Sequence, residues 1–162
     1  MDSIFLPKLK RSTTSSINVL SSRKLKYFSA PELIESAGNL GVTGSLAMTK
    51  FYAKNVQWIA ASLLVNTLPL IDSLDFNRVK YIGTDFNSSG NISMTYLGLD
   101  SLIAAGNNIT TQGDSMITTL NLGSLLDLGG SLITTGCKSL TSLTLNPNII
   151  CRGVPTYTLN GC

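Results

Sequence analysis

Nine carboxylates, three cysteines and three Asn-x-Ser/Thr triplets are the side chains in this 162-residue chain whose types could carry chemistry. The chain contains no histidine, which excludes imidazole metal ligation, Ser-His-Asp and Cys-His catalysis, and the commonest general base. Cys137, Cys151 and Cys162 form no CxxC spacing, so neither a zinc knuckle nor a thioredoxin-like pair is expected. Cys151 and Cys162 stand eleven apart and could staple the end of the chain in an oxidising compartment. The acids Asp72 and Asp75, or Asp85 and Asp100, lie in no calcium-loop pattern. Glycoside hydrolysis would need two carboxylates facing across a cleft. Of the acids, Asp127 has the most apolar neighbours, and a cap or turn role is expected for it. Residues 38–44 are glycine-rich but lack the Lys and terminal Ser/Thr of a phosphate loop. The triplets at Asn87, Asn91 and Asn108 are what chance yields in so Asn- and Ser/Thr-rich a chain. No nucleophile has a base beside it; an enzyme and a bound cofactor are therefore not expected.

Composition narrows the classes further. Apolar residues make up 43% and charged residues only 13%, well under the usual ~25%, so a charged disordered chain is excluded. Lys8, Lys10, Arg11, Arg23, Lys24 and Lys26 face only Asp2 in the first 26 residues, whereas no Lys or Arg occurs between Tyr81 and Cys137. A basic arm on a mildly acidic body suits an acidic protein neighbour or another copy. No recognised nucleic-acid module is present, so nucleic acid is not an expected partner. The first residues lack the basic-then-apolar order of a secretory signal. Residues 56–71, the most apolar stretch, are too short and interrupted to span a bilayer. Localisation is left open, with assembly inside the cell as the expectation.

These residues must be positioned by a repeat. Counting from Leu25 as position 1, a 23-residue period keeps positions 1, 4 and 6 apolar through six windows, from Leu25, Phe28 and Ala30 to Leu140, Leu143 and Leu145. Position 16 is apolar in five windows (Leu40, Leu63, Phe86, Ile109, Leu132), and position 20 is glycine in four (Gly44, Gly90, Gly113, Gly136). Small residues recur at positions 13 or 14. A coil of similar turns, each bending at the same two places, explains this rhythm. Positions 4 and 6 alternate as a short strand facing inward. The stretches 29–38, 54–66 and 100–106 show helical spacing and helix-type caps, and 77–83 and 123–130 allow one turn each. A β-helix or small sandwich is the rival, because later turns are rich in Thr.

Residues 140–150 reproduce the line L-x-x-L-x-L-x-x-N-x-I; the turn 71–93 carries Phe86 and then Asn91, and the junction 136–145 carries Cys137, each of the latter two three residues before the next repeat. This pattern resembles the leucine-rich repeat family, in its bacterial and protist surface type. The resemblance implies an α/β fold: a right-handed solenoid of about six 23-residue turns with a parallel β-sheet on its concave face. Residues 25–162 would form it, with 140–162 as the closing turn and 1–24 as a basic arm or irregular cap. Position 9 is Asn only at Asn148, so the family's asparagine ladder is missing. Ala30 and Ala53 make the first turns thin, with Trp58 filling space nearby. The family also implies an inward, buried and reduced Cys137.

In that register the outward face carries Tyr27, Ser29, Lys50, Tyr52, Lys54, Ser73, Asp75, Tyr96, Thr119 and Asn121. Tyrosines beside lysines are common interface anchors. The expected function is a non-enzymatic protein-interaction or structural module, a subunit of a particle or surface assembly that contacts copies of itself or a neighbouring subunit. One alternative is an adhesin that binds carbohydrate or a receptor; the more distant one is an enzyme built on a carboxylate pair.

Overall fold

In each of the five turns between Leu25 and Ser139, eight of the 23 positions point inward. In the turn that starts at Met48 these are Met48, Phe51, Ala53, Val56, Ile59, Leu63, Val65 and Leu68, all buried. Within a strand, inward residues are two apart because side chains alternate; across a corner they are three or four apart. The computed structural model describes residues 1–152 and 157–160, and every regular element among them is a strand. Each turn contributes three, for example Lys50–Tyr52, Trp58–Ile59 and Leu63–Asn66.

The strands stack in parallel on three faces. The second face runs in register through Arg11, Glu35, Trp58, Tyr81, Ala104, Asp127 and Ile150. The third runs through Ile17, Leu40, Leu63, Phe86, Ile109, Leu132 and Tyr157. The first face breaks into three short sheets. Ser3–Phe5, Tyr27–Ser29 and Lys50–Tyr52 form one; Ser73–Asp75 with Tyr96–Gly98 and Thr119–Leu122 with Ser142–Leu145 form the others. The result is an all-strand parallel β-solenoid of about six turns wrapped around one apolar core.

This corrects the expected α/β leucine-rich-repeat turn and its single concave sheet. The stretches read as helical hold strands: Glu35–Ser36, Trp58–Ile59, Leu63–Asn66, Tyr81–Ile82, Ala104–Ala105 and Asp127–Leu128. Corners between short strands set inward residues three and four apart, and that spacing imitates a helical stripe. Leu33, Val56, Val79, Leu102 and Leu125, which occupy position 9 in place of asparagine, are core residues. Thin packing at Ala30 and Ala53 is made up by Phe28 and Phe51, stacked at 4.7 Å and 10°, with Phe76 tilted against Phe51 at 6.0 Å. Trp58 is not in this core; it points outward and is 46% exposed.

The glycine rhythm has two separate causes. Position 20 turns through the left-handed region in every turn from Ser21 to Gly136, with φ between 49° and 67°, which glycine adopts without strain. Gly83, Gly106 and Gly129 occupy a different corner where consecutive backbones touch. A Cβ there would lie 1.9–2.0 Å from the preceding turn's carbonyl oxygen.

Residues 3–20 supply the first rung, pairing Ser3 with Tyr27, Arg11 with Glu35 and Ile17 with Leu40. The first two offsets are 24 residues and the third is 23, which places one extra residue in the corner 13–16.

Candidate functional site

The first face brings five of the expected residues together. Tyr27 pairs across the ladder with Lys50, and Ser29 with Tyr52. The ammonium groups of Lys50 and Lys54 stand 5.7 and 5.4 Å from the centre of the Tyr52 ring, within cation–π range. Tyr27, Phe28, Ser29, Lys50 and Tyr52 line a shallow depression of about 340 Å³. The ion pairs among the described residues are Lys10–Glu32, Arg11–Glu35 and Arg152–Asp127, so Lys50 and Lys54 have no carboxylate partner.

Beyond a break in the ladder lies a second group. Ser73 pairs with Tyr96, and Asp75 accepts the Asn77 backbone N–H at 3.1 Å. Tyr96 accepts a hydrogen bond from Asn77 Nδ2 at 2.5 Å, so its ring is tied to its own side of the break. Thr119 and Asn121 belong to a third sheet, where Asn121 Oδ1 accepts from the Gly123 amide at 3.0 Å. The ten residues thus share one face but form three clusters, and charge changes sign along it from Lys50 and Lys54 to Asp75 and Asp100.

Two polar columns that the sequence reading missed tie successive turns, one half-buried at a corner and one in the interior. At position 15, each side chain accepts the backbone N–H of its counterpart one turn on. Ser16 accepts from Asn39 (2.9 Å), Asn39 from Ser62 (2.9 Å), Ser62 from Asp85 (3.4 Å), Asp85 from Asn108 (3.1 Å) and Asn108 from Ser131 (2.9 Å). The ladder sought at position 9 is therefore built at position 15, where Ser, Asn and Asp interchange and no single residue type fills the column.

A second column lies under the left-handed corner. Asn91 Oδ1 accepts from the Leu68 amide, and buried Asp114 accepts from the Asn91 amide at 2.9 Å and Ser88 Oγ at 2.5 Å. Burial raises the Asp114 carboxyl above its ordinary range, and the hydrogen bonds from Ser88 and Asn91 oppose that rise. Asn91, in one of the three Asn-x-Ser/Thr triplets, is wholly buried. Cys137 continues this column; it is buried, and its thiol faces the Thr111 carbonyl oxygen at 3.7 Å. Cys151 closes the second face half-buried, and its suggested bridge to Cys162 lies outside the described residues.

The second face was also missed. Its outward residues at position 11 include Trp58 and Tyr81, whose ring centres are 4.7 Å apart at 43°. Two turns beyond Tyr81, Asp127 accepts hydrogen bonds from Arg152 Nε at 3.0 Å and Nη2 at 2.5 Å. Asp127 is thus the carboxylate of an ion pair rather than a cap.

Fold and surface together define the class: a three-faced parallel β-solenoid that presents in-register rows of side chains. No protein-family model, curated protein or solved structure matches this chain. Among the described residues no group of three or more Asp, Glu or Cys is placed to hold a metal ion, and no helix is long and apolar enough to cross a membrane.

Proposed function

We propose that this chain is a non-enzymatic structural module that associates with a second copy of itself through its first face. The observation that supports this most is the reversal of charge along that face. Lys50 and Lys54, unpaired and packed around Tyr52, lie in one turn, and exposed Asp75 and Asp100 lie one and two turns further on. A second copy turned end for end brings the lysines of each chain towards the aspartates of the other, as a two-fold, self-complementary interface requires. Tyr27, Tyr52 and Tyr96 supply broad contact on the same surface.

Sedimentation velocity over a concentration series tests this reading. The native chain is expected to associate reversibly, more weakly at high salt. Lys50→Glu with Lys54→Glu is expected to hold it monomeric, and adding Asp75→Lys and Asp100→Lys to that variant is expected to restore association. A native chain that stays monomeric throughout, or a four-fold swap that restores nothing, contradicts it.

A further inference from the structure

The outward row of the second face contains a slot that the proposed self-association does not use. Trp58 and Tyr81 are register neighbours with ring centres 4.7 Å apart, tilted at 43°, and both line a depression together with Ala104, the register partner of Tyr81 one turn on. The next residue, Asp127, stands with Arg152 as a bidentate ion pair. Adjacent parallel strands are about 4.8 Å apart, so Tyr81 and Asp127 are separated by roughly 10 Å at the backbone, with only the Ala104 methyl between them. The floor beside the slot is side-chain-free at Gly106, where backbone contact forbids a Cβ. The depression measures about 300 Å³, at the small end of ligand sites.

The geometry points to a binding site for a neutral pyranose residue of a glycan. Such a ring has a C–H face that packs on an aromatic ring, here the Tyr81 and Trp58 side chains that line the depression, and it is one slot thick. Its equatorial hydroxyls both donate and accept. Asp127 has lone pairs left beyond those used by Arg152, and Arg152, whose side chain is 71% exposed, has further N–H donors. The two charges neutralise each other, so an anionic ligand gains no net attraction. The other end of the row is likewise a closed pair, Arg11–Glu35 at 3.0 Å, which leaves no unpaired cation in the row for nucleic-acid phosphates.

Trp58 is the sole tryptophan, so its emission reports directly on this slot. The full chain is titrated with maltotetraose, cellotetraose, mannotetraose and chitotetraose, alongside sialyllactose and an oligo-dT strand. At least one neutral tetrasaccharide is expected to give a saturable change in emission at or below about 10 mM. Asp127→Ala and Ala104→Phe, both outward positions that leave Trp58 and Tyr81 in place, are expected to raise the half-saturation point about tenfold or more, with unchanged circular dichroism. Flat emission with all four neutral sugars overturns the assignment. So does a response confined to sialyllactose or oligo-dT, or neutral-sugar binding that Asp127→Ala leaves unchanged. First-face charge variants are expected to bind the sugar normally, so failure here and failure of self-association are distinguishable.

Discussion

Asn108 Oδ1 lies 2.9 Å from the backbone nitrogen of Ser131, 23 residues further along the chain. This contact is one rung of a column that ties successive turns at the same corner, where the backbone leaves the second face for the third. Removing the oxygen strands a part-buried N–H. Asn108→Ala is expected to destabilise the fold by about 1–2 kcal/mol in urea unfolding. Its exposed neighbour is the control, with Asn107→Ala expected to stay within about 0.5 kcal/mol of the native chain. Equal costs at the two sites would remove the column's structural role.

The two glycine corners separate by mutation. Gly106→Ala places a methyl 2.0 Å from the Gly83 carbonyl oxygen, so adjacent turns must part. A loss of about 3 kcal/mol or outright misfolding is expected. Gly44→Ala meets nothing closer than 3.5 Å and suffers only its φ of 66°, at a cost of about 1 kcal/mol. Thermal unfolding of both variants gives the order; the reverse order contradicts the packing described.

Asp114 makes stability depend on pH. Its carboxyl is raised in the folded state by burial, from an ordinary value of 3.8, so the folded chain binds this proton more tightly than the unfolded chain. The stability it contributes is complete below the ordinary value and is lost as pH rises through the raised one. Asp114→Asn, which places there the residue found one turn earlier at Asn91, is expected to be more stable than the native chain at neutral pH. The difference should shrink as pH falls through the raised value. Melting curves across the acid range measure it; a difference that grows on acidification would reverse the assignment.

Much of this fold can be read from residues, and the limits have physical causes. The 23-residue period, the inward positions 1, 4, 6 and 16, and the glycine bend at position 20 are visible because identical environments select similar residues. The second-face strands are hidden because each, like Trp58–Ile59, is only two residues long, too short to show an alternation. The first rung escapes a periodic search because one extra residue in 13–16 shifts its first two strands out of register. The position-15 column is disguised because Ser, Asn and Asp all supply the one acceptor it needs. The first-face cluster around Tyr52 is legible, since positions 3, 5 and 7 flank a recognised strand. The Trp58–Tyr81 row becomes legible only when positions 11 and 12 are known to be a strand.

Nuclear Overhauser contacts in residues 29–38 and 54–66 test the helix-free, three-faced turn most directly. Cross-turn contacts are expected between Glu35 and Trp58, Trp58 and Tyr81, and Leu40 and Leu63, which are register partners on the second and third faces. A run of contacts between residues three and four apart within either stretch, with those cross-turn contacts missing, would mean that the chain returns through helices and would contradict the fold.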